Sequence, residues 1–359
     1  MSKKHFSWLL IVTLIVAAII LLVPVRTGQE SAFEPRPLLP GFREQVNDVA
    51  LVQIRAAGNH PVITLVRTDD GWVEESRSYP ANWQRLKTLM AELAQAQIIE
   101  LKTRNPEYYE RLGVMDVAGE DSNGVLVELG EGDAALTLIV GKTSEEREGQ
   151  FVRFNDREQS LLIDRVLTVP RQPAEWLESE IVDLAQAEVV EASITYPDGE
   201  VVSIRKVSAD DTDFSLRDIP EGRETRSAWV VNSIGGMFEN LNLEQVVAVD
   251  EVDWSEALAL QALTADGVEV RAELANAEGQ DWLRLEAFTY TGSAEPELQA
   301  TDVEDETEFS EMTESLVPEE TVARVETINQ RVGGWAYSIT EVQAEKMKKR
   351  MEDLLKEQE

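Results

Sequence analysis

Three features of this 359-residue chain have the residue types that do chemistry elsewhere. Gly141-Lys142-Thr143 has the lettering that ends a phosphate-binding loop. Such a loop needs another glycine five positions earlier, so that backbone amides can wrap the phosphate. Position 136 is Leu, and Leu136–Val140 reads as a strand, so the triplet reads as a strand ending in a glycine turn. Asp210, Asp211 and Asp213 set oxygens close together, as a calcium loop does. The glycine that bends such a loop and the correctly spaced glutamate that closes it are missing, which leaves a polar loop. Carboxylates are the third feature, with Asp plus Glu at 68. Two acids about 5–10 Å apart can hydrolyse glycosides, but among so many acids no pair stands out by spacing.

Composition removes other chemistries. There is no Cys, hence no disulfide framework, no thiolate metal site and no Cys nucleophile. The two His are His5 and His60, too few for a His-based triad or a multi-His zinc site. His60 follows Gly58-Asn59 in a hairpin turn and reads as a surface residue. No spacing suggests a Ser–Lys dyad. We therefore assign no catalytic, cofactor-binding or metal residue. A formal charge of −35 repels phosphate backbones, so nucleic acid is not an expected partner. Of the eight Trp, Trp83 and Trp229 fall in predicted helices and Trp72 and Trp282 in predicted strands, where core packing accounts for them. Trp176 and Trp335 lie near turns and are the candidates for a ligand or partner contact.

The elements around these residues follow from periodicity. Val49–Arg55 and Val62–Thr68 alternate as strands about a Gly58-Asn59 turn, and Asp70-Gly71 turns into Trp72–Glu75. Asn82 is placed to cap a helix to about Ala96, with Trp83, Leu86, Met90 and Leu93 on one face. Ile98–Leu101, Val125–Leu129, Leu136–Val140, Phe151–Phe154 and Ser160–Ile163 read as further strands. A second pass gives strands at Val189–Tyr196 and Val201–Val207, then a helix over Ser227–Leu241. Strands at Val246–Val249, Leu258–Leu263, Val268–Leu274 and Trp282–Phe288 follow. The expected fold class is α+β: two diverged repeats of antiparallel sheet plus one helix. A final strand near Trp335 and a helix capped by Thr340 close the chain, with Ala344, Met347, Met351 and Leu354 on the helix's buried face.

The N-terminus sets the expected location. Phe6–Val25 is 20 residues without a charge, enough for a helix of about 30 Å, a bilayer's hydrocarbon thickness. Phe6, Trp8, Leu9, Leu22 and Val25 belong to this membrane anchor, and Lys3 and Lys4 before it place the N-terminus in the cytoplasm. A cleaved signal is the competing reading, but no small-x-small site follows the run. The expectation is a single-pass bacterial inner-membrane protein, with a lipid bilayer as one partner and the main domain in the periplasm. The expected layout is a stub and anchor at 1–26, a Pro-containing linker at 27–45, and repeats at 46–185 and 186–292. An acidic disordered insertion at 293–321 and a C-terminal strand and helix at 322–359 complete it. Glu295–Glu326 holds 12 acidic residues against Arg324 alone, which supports the insertion.

Several stretches resemble the bacterial domain-of-unknown-function family DUF4340. They are VALVQIRAAGNHPVITLVRTDDGWV from Val49, YERLGV from Tyr109, LTLIVGK followed by QFVRF, LLIDRVL leading to Trp176, and GGWAYSITEVQAEKMKKRMEDLL. The resemblance covers most of the chain except the acidic stretch. It implies one N-terminal membrane helix, repeated β-rich units and association with ABC-type transport systems, including components of the gliding-motility type. No catalytic residues are established for that family, so none is carried over. The leading expectation is a non-enzymatic accessory protein with ABC permease or auxiliary subunits as partners. The alternatives are a periplasmic ligand- or envelope-glycan-binding module and a carboxylate-dependent hydrolase.

Overall fold

A computed structural model describes residues 33–132, 135–208, 211–290 and 318–357. In chain order its strands are β1 Arg36–Pro37, β2 Leu51–Arg55, β3 Pro61–Thr68, β4 Gly71–Glu74, β5 Gln97–Leu101, β6 Val125–Leu129, β7 Leu136–Thr143, β8 Gln150–Phe154 and β9 Ser160–Ile163. There follow β10 Glu180–Val182, β11 Val189–Thr195, β12 Val201–Arg205, β13 Ser215–Leu216, β14 Leu241–Asn242, β15 Gln245–Ala248, β16 Leu258–Thr264, β17 Val268–Ala277, β18 Gln280–Thr289 and β19 Trp335–Ser338. The longer helices are α1 Trp83–Gln95, α2 Ala228–Gly235, α3 Glu319–Val332 and α4 Glu341–Met347.

The described residues form two compact units. The first runs to Pro61 and includes Thr88–Val169; the second comprises Val62–Lys87 and the chain from Pro170. The strands of the first unit lie in the order β1-β5-β9-β8-β7-β6-β2, all antiparallel. The large sheet of the second is β13-β12-β11-β16-β17-β18-β19-β15, and β10 pairs with β14. Six strands share one order: β5-β9-β8-β7-β6-β2 corresponds to β15-β19-β18-β17-β16-β11. In each case a helix, α1 or α2, intervenes in the chain between the third hairpin strand and the later strands.

The first unit covers one sheet face with the segment around its single-turn helix Tyr109–Leu112. Tyr109, Val114 and Val117 pack there on Leu126 and Ile139. Arg153 is buried under this cover: its Nε donates to the Val114 carbonyl at 2.9 Å and its guanidinium lies 4.8 Å from the Tyr109 ring. In the second unit the inward residues of β11, β17 and β18 alternate as strand geometry requires. Ala192 and Ile194, Val268, Val270 and Ala272, and Leu283 and Ala287 are all buried. Helix α2 adds Val231 and Ile234, and α4 adds Ala344 and Met347. Asn82 does cap α1, accepting from the Arg85 amide at 3.0 Å. Thr340 and Gln343 form a reciprocal capping box on α4.

The expected fold class needs correcting. The chain is mostly β, built on two large antiparallel sheets, rather than α+β with one helix per repeat and one C-terminal helix. The second unit alone carries α2, α3 and α4. The helix expected over Ser227–Leu241 stops at Gly235, where Gly236 follows it, and Leu241 enters β14. The C-terminal helix is split, with Met351–Leu354 as a separate turn. Part of the expected spacer is folded: Leu38, Leu39 and Phe42 are buried. Among the described residues no helix is long and apolar enough to cross a membrane. The anchor residues Phe6, Trp8, Leu9, Leu22 and Val25, with Lys3 and Lys4, lie outside the described residues, as does nearly all of the acidic stretch.

The split in the last helix has an electrostatic cause. Arg350 leaves the helical path to reach Asp198 at 2.9 Å and Glu200, stacking 3.9 Å from the Tyr196 ring. The Met351 amide donates to Glu200 at 2.8 Å. Farther on, Thr225 and Leu355 bridge in antiparallel fashion, and Arg223 binds Glu352 through two bonds of 2.8 and 3.0 Å. The Asp198 carboxyl sits below its ordinary range because it accepts the Glu200 amide and the Arg350 guanidinium. Glu352 is lowered by its bond from Arg223. A carboxylate lowered on folding contributes stability that is present above its unfolded value, about 4, and lost as pH falls through the folded value. Hydrogen exchange followed by mass spectrometry should therefore show 350–356 firmly docked from neutral pH to about pH 5, and opening below about pH 4 before the sheet does. Arg350→Ala should open the same segment at neutral pH.

Candidate functional site

The outer face of the second unit's sheet holds a groove of about 690 Å³. Its floor is set by strand register. Ser193, Gln261, Arg271 and Glu286 lie side by side across β11, β16, β17 and β18. The next row is Thr195, Ala259, Glu273 and Arg284. Cross-strand neighbours of this kind stand about 5 Å apart, so opposite charges pair. Arg284 binds Glu273 directly, and Arg271 grips Glu269 with two bonds of 2.7 and 3.1 Å. Glu269 is buried and also accepts from Gln261. The guanidiniums cover aromatic rings, Arg271 at 4.5 Å from Phe288 and Arg284 at 4.6 Å from Trp254.

One wall of the groove is α3. Asn329 holds it to β18 through both halves of its amide, accepting from the Ala287 amide at 2.7 Å and donating to the Ala287 carbonyl at 2.8 Å. Arg324 adds bonds to Glu188 at 2.7 Å and Asp266 at 3.0 Å. Gly333, Gly334 and Trp335 close one end. The ring of Trp335 meets Tyr79 edge to face at 5.2 Å, and Tyr79 meets Tyr337 at 6.2 Å. Tyr79 donates to the Glu178 carbonyl at 3.0 Å, and burial pushes its phenol up to about 12, so it stays neutral.

The structure separates the two Trp candidates. Trp335 lines the groove. Trp176 is fully buried, its Nε1 donating to the Pro170 carbonyl at 3.0 Å, and is a core residue. Trp83 and Trp229, assigned to core packing above, are 55% and 78% exposed. Sequence reasoning missed Arg271, Arg284, Glu273 and Asn329. Alternation on β17 and β18 marked the first three as outward-facing, but only the register brings them together.

The other chemical features resolve into structure. Gly141 lies where an added Cβ would sit 2.4 Å from the Leu112 carbonyl oxygen, and Lys142 Nζ donates to the Glu110 carbonyl at 3.2 Å. The triplet thus seats the Tyr109–Leu112 cover on β7. Asp211 accepts from the Ser208 amide and Asp213 from the Asn232 side chain, while Asp210 lies outside the described residues. Among the described residues no three His, Cys, Asp or Glu are placed to hold a metal. His60 is exposed. The described carboxylates whose pKa departs from the ordinary value, such as Asp198, Asp253 and Asp266, all move down, opposite to what a general acid needs.

Two substitutions test this account. Asn329→Ala removes two bonds from the buried Ala287 peptide and is expected to cost about 2–4 kcal/mol in urea unfolding. Gly141→Ala is expected to cost about 1–3 kcal/mol through its clash with the Leu112 carbonyl, whereas Lys142→Ala should leave nucleotide binding, measured by calorimetry, at background in both proteins.

No curated protein and no solved structure matches the chain. Residues 72–282 match the family described as "Domain of unknown function (DUF4340)", a span that takes in α1, all the strands from β5 to β17, and the greater part of both units. On that match over more than half its length, the chain belongs to the DUF4340 family.

Proposed function

We propose that the protein is a non-enzymatic accessory component of an ABC-type transport system, held at the bacterial inner membrane with its sheet-rich part in the periplasm. The observation that carries the non-catalytic reading is the state of the groove. Its two guanidiniums are already bound to carboxylates, Arg284 to its cross-strand partner Glu273 and Arg271 to Glu269 on its own strand, and the rows that hold Ser193 and Thr195 contain no His or Lys. Such a face recognises by shape and hydrogen bonding. The uncharged run Phe6–Val25 behind Lys3 and Lys4 supports membrane attachment. The transport association rests on the family resemblance.

A second reading is favoured by one feature. Trp335 stands at the end of a groove floored by planar polar side chains, an arrangement suited to a ligand or envelope glycan. An affinity pull-down of the full-length chain from gently solubilised native membranes, read by mass spectrometry, decides between them. Co-purification of ABC permease or auxiliary subunits is the expected result. A solitary protein that instead binds isolated envelope glycan, with binding lost in Trp335→Ala, would replace the accessory reading with the second.

A further inference from the structure

A different surface of the second unit has no role in the groove. Trp229 near the start of α2 and Val342 near the start of α4 are 78% and 71% exposed, and both line one groove of about 560 Å³. A single exposed apolar side chain needs no explanation, but two sharing one groove form a patch. Arg226, Lys346 and Lys349 line the same groove. Among the described residues none of the three forms an ion pair, whereas their neighbours Lys348 and Arg350 are taken by Asp281 and by Asp198 with Glu200. Lys346 makes only a 3.3 Å bond to the Gly236 carbonyl. Two acids also line the groove, and one of them, Asp353, is engaged by the Arg350 amide at 2.9 Å. Three basic side chains against Glu345 and Asp353 leave the lining with one positive charge in excess, on a chain whose formal charge is −35.

We propose that this surface docks on the headgroup layer of an anionic phospholipid membrane, with Trp229 and Val342 entering the interface and Arg226, Lys346 and Lys349 meeting lipid phosphates. Indole combines an apolar body with an N–H donor and suits that boundary, and Lys and Arg stems reach from apolar depth to charged headgroups. The highly exposed apolar side chains favour a fluid layer over a peptide seated in the groove. Repulsion from the rest of the acidic chain is screened beyond about 8 Å in physiological salt, so the local charge decides. Phe33 follows Val25 by eight positions, a reach of at most about 29 Å when extended. The proposal rests on the membrane attachment proposed above.

The test uses the full-length chain with nanodiscs of phosphatidylcholine alone and of phosphatidylcholine with phosphatidylglycerol in equal parts. Co-elution with the discs reports attachment. Quenching by acyl-brominated lipid, taken as the difference between the protein and Trp229→Phe, reports docking of the patch. The expected result is co-elution with both discs, Trp229-dependent quenching only in the anionic ones, and its loss in the double variant R226E/K349E, whose two side chains make no ion pair that folding needs. Co-elution without Trp229-dependent quenching, or equal quenching in both discs, overturns the proposal and leaves attachment standing. Co-elution with anionic discs alone, with Trp229-dependent quenching, supports the docking surface and overturns the anchor. Shielding of Trp229 from aqueous iodide by a co-purified transport complex, with no lipid quenching, assigns the patch to a protein partner and overturns the membrane assignment.

Discussion

The second unit depends on one backbone constraint, the edge of β18. β19 pairs with β18 only at Trp282 and Leu283, so the strand beyond them needs another partner for its peptide groups. Helix α3 supplies it. A helix has no spare backbone groups along its side, so a side-chain amide must do the bonding, and Asn329 has both a donor and an acceptor to offer Ala287. Once α3 is fixed there, Arg324 can reach Glu188 and Asp266, and Arg331 can reach Glu180. The groove wall follows from that placement, as does the turn at Gly333-Gly334 that sends the chain back into β19.

Much of this was legible in local pattern. Alternation located the strands because one face of each is buried, and Asn82 and Thr340 announced the helix starts they cap. What local pattern could not show was tertiary choice. A step of three and four residues placed Trp83 with Leu86, yet the buried face is Leu86, Leu89, Met90 and Leu93, and the indole stands outside it. Trp176 looked accessible beside its turn, but its carbonyl accepts the Asn82 amide from a segment ninety-odd residues earlier in the chain. The apolar period through Met351 suggested one continuous helix, and the pull of Asp198 and Glu200 on Arg350 breaks it. The groove was hidden for a related reason. Its rows exist only in the register of four strands, and a single sequence does not state register.

Three of the stretches that carry the family resemblance turn out to be packing parts in the first unit. Tyr109 and Val114 come from one stretch and Gly141 and Arg153 from two others, and together they seat one cover on one sheet face. Gly141 is needed for what it lacks, since the Leu112 carbonyl occupies the space of a side chain. A buried arginine bound to carbonyl oxygens replaces the ion pair that such a charge ordinarily seeks. These are the demands of a fold, which explains how a family can be recognisable by its packing alone.

The shared strand order has a consequence for how the chain finds its shape. β8 and β9 are joined by five residues, whereas β18 and β19, the same neighbours in the second sheet, are separated by forty-five. Closing the longer loop adds only about 2 kcal/mol of chain entropy, since the cost rises by about 0.6 kcal/mol per doubling. An insertion at that turn is thermodynamically cheap. Its kinetic effect is larger. In the first sheet β6, β7, β8 and β9 can zip up as successive hairpins, but in the second that run stops at β18, and β19 must arrive from farther along the chain before β15 has anything to pair with, so that step belongs to the slow, non-local class of folding events.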